Sequence, residues 1–234
     1  MYWLLNSSIG RKLIMSISGF FLILFLTFHA CMNMVALFSV SAYNMICEFL
    51  GANWYALAGT LVLAGGVVIH ILYALVLYFQ NRKARGNDTY AVNAKPKHVE
   101  WASQNMLVLG IAVAAFLVLH LYNFWAKMQL VEIMEMAGVH VDATYAKDGV
   151  YHIAQTFANP IYVVLYLGAL SALWFHLTHG FWSAFQTIGI NSKIWFNRWK
   201  WIGNIYVTLL MLGYAVVVLV FFIKSFCCGT VCGI

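Results

Sequence analysis

At 234 residues, with 64% hydrophobic side chains, only 9% charged ones and a mean hydropathy of +0.84, the chain is far more apolar than a soluble domain, and its solvent is read as lipid. The net charge of +6 sits on short connections, so it excludes a nucleic-acid-binding role, for which a soluble basic domain would be needed. No GxGxxG, P-loop or GxSxG string occurs, which excludes a dinucleotide site and a serine nucleophile in this chain.

A bilayer core of about 30 Å takes roughly 20 helical residues to cross. Five runs meet that length, at about 12–40, 54–80, 100–125, 158–188 and 200–223. The expected fold is therefore all-α, a single integral-membrane bundle of five transmembrane helices over 1–234. A β-barrel does not fit, because barrel segments are short and alternating whereas these runs are continuous.

The first run follows Arg11 and Lys12 and stays apolar to Val40 without a small-x-small cleavage site, so it reads as a helix, not a signal peptide. Trp54 and Tyr55 open the second run, and Arg82, Lys83 and Arg85 close it. Pro96 precedes the third, and Trp101 and Trp125 mark its interfaces. The connection 126–157 is the only long one, and its amphipathic stretch Met128–Met136 suits a membrane surface. Asn159 and Pro160 form a start signal for the fourth run, and Trp195, Trp199 and Trp201 precede or open the fifth. Cys227, Cys228 and Cys232 crowd the C-terminus as a frayed end able to form a disulfide. With Cys31 and Cys47 they make no CxxC pair, so neither zinc nor an iron-sulfur cluster is suggested here.

Ten basic residues, Arg11, Lys12, Arg82, Lys83, Arg85, Lys95, Lys97, Lys193, Arg198 and Lys200, fall on one side of this topology. Only Lys127, Lys147 and Lys224 fall on the other. The positive-inside rule puts the N-terminus in the cytoplasm and the C-terminus outside.

Ionisable residues inside a membrane are costly, so each is a functional candidate. His29, His70, His120 and His176 occupy four different runs. At about 1.5 Å per residue, His29 and His120 lie roughly 26–28 Å from the cytoplasmic edge, and His70 and His176 roughly 15–18 Å. Two histidines at one depth on facing helices suit a bis-histidine haem, so two layers suggest two haems b. A histidine-lined proton or ion path in a haem-free transporter is the alternative. His179, three residues after His176, is an alternative inner ligand. His98, His140 and His152 lie at headgroup or loop positions and read as surface residues.

The four histidines, with the strings SxSGFFLxLFLxxH over 16–29 and FHxxHGxWSxxQTxG over 175–189, resemble the cytochrome b subunit of succinate:quinone and quinol:fumarate oxidoreductases. The similarity covers nearly the whole chain and points to the single-polypeptide, dihaem branch. It implies a bacterial cytoplasmic-membrane protein that passes electrons between menaquinone or menaquinol and an iron-sulfur subunit. A flavoprotein with FAD would join that subunit on the basic face, and complexes of this family pair as dimers of the heterotrimer. The cytochrome of a formate dehydrogenase or hydrogenase is the neighbouring alternative.

Carried over by residue, the resemblance makes His70 and His176 ligands of the inner haem and His29 and His120 ligands of the outer one. Gly180, four residues after His176, favours His176 over His179, and Ser16 matches a position near a haem propionate. A quinone site needs a group that exchanges protons, and the candidate is Glu48, with Glu132 and Glu135 as weaker alternatives. Some members carry a glutamate two residues before the fourth-helix ligand to return protons across the membrane; here that place is Trp174.

Overall fold

A computed structural model describes residues 6–85, 100–190 and 192–228. Lys95, Pro96, Lys97, His98 and Cys232, and the side chains of Arg85 and Cys228, lie outside the described residues. No strand occurs among the described residues, and nine α-helices follow one another: α1 Ser8–Val35, α2 Val40–Phe49, α3 Trp54–Arg85, α4 Trp101–Gln104, α5 Met106–Asn123, α6 Gln129–Met136, α7 Gly149–Phe157, α8 Pro160–Thr187 and α9 Lys193–Cys228. Five of these, α1, α3, α5 with the turn that follows it, α8 and α9, are long and apolar enough to cross a membrane.

The helix ends are set by side-chain caps that hydropathy does not register. The first run was expected to continue to Val40, but α1 stops at Val35. The Ser39 hydroxyl accepts from the Ala42 N–H at 3.2 Å, so a polar cap inside an apolar stretch starts a new helix. The fifth run begins at Lys193, not residue 200, because Ser192 caps it, its Oγ accepting from the Trp195 N–H at 3.3 Å. The second run extends to Arg85 and the fifth to Cys228, beyond the expected ends at 80 and 223. Asn159 and Pro160 start α8 as the sequence predicts, the Asn159 side chain accepting from Ile161 N–H at 2.9 Å. Gly189 ends α8 in the left-handed conformation, φ +84, and the Ile190 N–H returns to the Phe185 carbonyl at 3.1 Å.

Helix α8 is the central strut. It packs against α9, α1 and α5, and α9 also packs on α1. One apolar cluster joins Ile23 and Ala30 of α1, Leu170, Leu173 and Leu177 of α8, and Val207 and Met211 of α9. A second gathers Tyr43, Val150, Ile153, Phe157, Tyr166 and Phe221 at the other end. Helix α3 differs: it lies along α1, with no more than glancing backbone contact with any other described element, and the most apolar part of it buries nothing. The close approach of α1 and α3 depends on Gly66, where a Cβ would stand 2.6 Å from Phe21 Cε1, the small-residue contact by which lipid-embedded helices pack. Gly66→Leu is therefore expected to cost about 1–3 kcal/mol, read as a lower thermal-unfolding midpoint in detergent. Gly59→Leu on the same helix, where a Cβ meets nothing within 4 Å, should leave the midpoint unchanged.

Helix α6 of the long connection docks on the protein through polar residues, Gln129 and Glu132. Gln129 of α6 donates to the Gly51 carbonyl at 2.9 Å and accepts from Thr60 and from the Trp125 indole, each at 2.9 Å. A buried amide with its partners in place is held in register, and it fixes α6 over the α2–α3 turn. Helix α7 is tied to α2 through Asn44, whose amide donates to Asp148 at 2.9 Å and whose oxygen accepts from the Val150 N–H at 3.1 Å. Burial pushes the Cys47 thiol, which faces Gly149 in this seam, up to about 11.

Candidate functional site

Two histidine pairs face each other inside the bundle. His29 of α1 meets His120 of α5 with ring centroids 5.7 Å apart and planes at 88°. His70 of α3 meets His176 of α8 at 6.3 Å and 64°. Both pairs span helices that do not otherwise pack, since α1 with α5, and α3 with α8, make at most glancing backbone contact. Imidazoles on opposite sides of a transition metal, with bonds of about 2.0–2.1 Å, have centroids roughly 6 Å apart. Bis-imidazole ligation therefore fits the spacing of both pairs.

Among the described residues, His120 Nδ1, His176 Nδ1 and His179 Nδ1 are buried without a hydrogen-bond partner, a costly arrangement for each ring. Phe116, Phe124 and Tyr166 surround His120, with centroids 5.8, 5.1 and 6.2 Å away, and Phe25 stacks on His29 at 5.4 Å. Among the described residues no set of three or more His, Cys, Asp or Glu converges as ligands of a bare metal ion would. The histidines come in twos.

His179 is turned elsewhere. Its Nδ1 lies 3.6 Å from Glu100 Oε2, an ion-pair distance longer than a hydrogen bond. The other oxygen of Glu100 meets Lys200 Nζ at 2.6 Å, and the Trp182 indole donates to Oε2 at 3.2 Å. Partial burial works against ionisation of Glu100, but Lys200, His179 and Trp182 outweigh it and hold the carboxyl below its ordinary range. A carboxylate depressed in the folded state adds stability above the unfolded value of about 4.3 and loses it as pH falls through the folded one. With the Glu100 side chain 39% exposed, solvent screening limits the gain to less than about 1 kcal/mol. Glu100→Gln should thus lower the unfolding midpoint slightly at neutral pH, and thermal scans at a pH that protonates Glu100 should show no difference from wild type.

Ser16 is buried, but its hydroxyl donates to the Lys12 carbonyl of its own helix at 3.0 Å. Ser18, two residues on, was not singled out from the sequence, yet its Oγ lies 3.1 Å from His70 Nδ1. Trp174 donates its indole N–H to Thr208 Oγ1 at 2.9 Å, tying α8 to α9. His152 is also buried, which lowers its pKa, and its Nε2 lies 3.0 Å from the Tyr145 carbonyl.

The loop carboxylates gather around one cavity of about 370 Å³, lined by Glu48, Ala52, Asn53, Trp54, Glu132, Glu135, Met136 and Lys147. Glu48 stands on its rim, 64% exposed and 3.5 Å from Lys147 Nζ. Glu132 is only 8% exposed and accepts from the Ala52 N–H at 3.2 Å. The sequence ranks Glu48 ahead of Glu132; burial distinguishes the two in the opposite sense.

Comparison with known protein families, curated proteins and solved structures finds no match to this chain. The site is interpreted from its own chemistry.

Proposed function

We propose that this chain is the membrane-anchoring dihaem cytochrome b subunit of a succinate:quinone or quinol:fumarate oxidoreductase. The observation that carries the reading is the pair of facing histidine couples, each set across a seam between helices that do not pack. In this proposal His70 and His176 hold the inner haem and His29 and His120 the outer one. Bound there, haem b would supply one-electron carriers between the quinone and the iron-sulfur partner.

The chain's own residues do the rest. Helices α1, α3, α5 and α8 carry the ligand rings, and the phenylalanines beside His29 and His120 shield that layer. The basic connections face the cytoplasm and offer the docking side for the iron-sulfur subunit and the FAD-bearing flavoprotein. The menaquinol site is the outer cavity, where Glu132 takes a proton released on oxidation and Glu48 with Lys147 forms the rim open to water. Trp174 has no proton that titrates at working pH, and its indole N–H is donated to Thr208.

The test is a dithionite-reduced minus oxidised spectrum with pyridine haemochrome quantification on the complex purified with its partner subunits. Two haems b per chain are expected. A preparation with its partners intact and no Soret band would overturn the proposal and bring the haem-free transporter reading forward.

A further inference from the structure

We infer that Ser18 is a positioning residue that fixes the tautomer of His70 and sets the potential of the inner haem apart from that of the outer one. The inference rests on the reading of His70 and His176 as axial ligands.

Ser18 is 8% exposed, and its hydroxyl has one proton to give. That proton goes to the Met15 carbonyl at 3.0 Å. With that proton assigned to the Met15 carbonyl, Ser18 Oγ accepts from His70 Nδ1, 3.1 Å away, and Nδ1 carries the ring proton. Nε2 is then left with its lone pair free, the state a metal requires of a neutral imidazole. Next to Ser18, Gly19 faces the same ring: a Cβ added there would stand 3.5 Å from His70 Cε1.

No comparable arrangement exists at the other ligands with buried Nδ1 atoms. His176 Nδ1 and His120 Nδ1 have no partner. Among the described residues, His70 thus carries an outer-shell acceptor from another helix that His176 and His120 lack. Such an acceptor makes the ligating nitrogen more electron-donating. Stronger donation favours ferric over ferrous iron, so the inner haem is held at a lower potential than the same pair would give without Ser18.

The experiment is a redox titration of both haems in the purified complex for wild type, Ser18→Ala, Ser18→Thr and Ser171→Ala. Ser171 is an exposed α8 residue whose hydroxyl donates to the Leu167 carbonyl of its own helix, and it serves as the control. Ser18→Ala is expected to keep two haems and raise the midpoint of one, with about a tenfold change in the ferric-to-ferrous affinity ratio, or about 59 mV for a one-electron couple. The other midpoint should stay in place, and Ser18→Thr should restore the wild-type value. Unchanged midpoints in Ser18→Ala, or equal shifts in both, overturn the inference. Should Ser18→Ala shed one haem, Ser18→Thr decides: a restored haem at the native potential supports the role, and a shed haem overturns it. Absence of haem from wild type itself would instead be a failure of the ligand assignment.

Discussion

His70→Ala and His176→Ala are expected to lose the same haem, and His29→Ala and His120→Ala the other, so that each variant retains about one haem per chain in place of two. The expectation follows from the pairing of the rings. His70 has His176 as its facing histidine at 6.3 Å, and His29 has His120 at 5.7 Å. Removing one imidazole leaves its partner to bind alone, and the other couple, on a different combination of helices, keeps both rings. Pyridine haemochrome stoichiometry gives the count, and low-temperature difference spectra show which α-band is missing. His179→Ala should retain both bands, because its ring is turned to Glu100. Loss of both haems in all four variants, or of one haem in His179→Ala alone, would rule out this ligand set.

The spans and the depth layers were legible in the sequence because both depend on quantities that add along the chain. Twenty apolar residues cross a bilayer whatever their neighbours are, and 1.5 Å per residue converts position to depth. Depth alone placed His29 with His120 and His70 with His176, and the structure brings those rings together. Other features depend on which distant segment docks where, and no periodicity records that. Ser18 meets a ring 52 positions away, and inside SxSGFF its hydroxyl looks no different from that of Ser16, which turns back to its own helix. The caps at Ser39 and Ser192 could have been read, since a serine before an apolar run is a start signal, but unbroken hydropathy outweighed it.

Trp174 shows how a departure from a family pattern gains a physical meaning. By sequence it is only a residue without a titratable proton at a place where some members of the resembled family carry a glutamate. In the bundle it is an interhelical tie, its indole bonded to Thr208 between α8 and α9. Those two helices also share the apolar cluster around Leu173, Val207 and Met211. The indole tie and the shared apolar cluster give the position a packing role in this chain.

Glu132→Gln is expected to lower menaquinol-linked turnover by about 10²–10⁴-fold while leaving both haem spectra intact. The substitution is nearly isosteric and keeps an oxygen able to accept from the Ala52 N–H, so α6 should stay docked through Gln129 and the cavity should keep its shape. What is lost is the ability to take a proton. Glu48→Gln should have a smaller effect, because Glu48 stands in water beside Lys147 and neighbouring solvent can replace it. The position of Glu132 was invisible in sequence for a simple reason: the backbone N–H that it caps is 80 residues away. The measurement is steady-state turnover with a menaquinol analogue, together with the rate at which the same quinol reduces the haems. If Glu48→Gln stops reduction and Glu132→Gln does not, proton transfer occurs at the rim and the buried carboxylate only holds the loop. If neither matters, the quinol is oxidised elsewhere in the bundle, and the cavity is no part of the reaction.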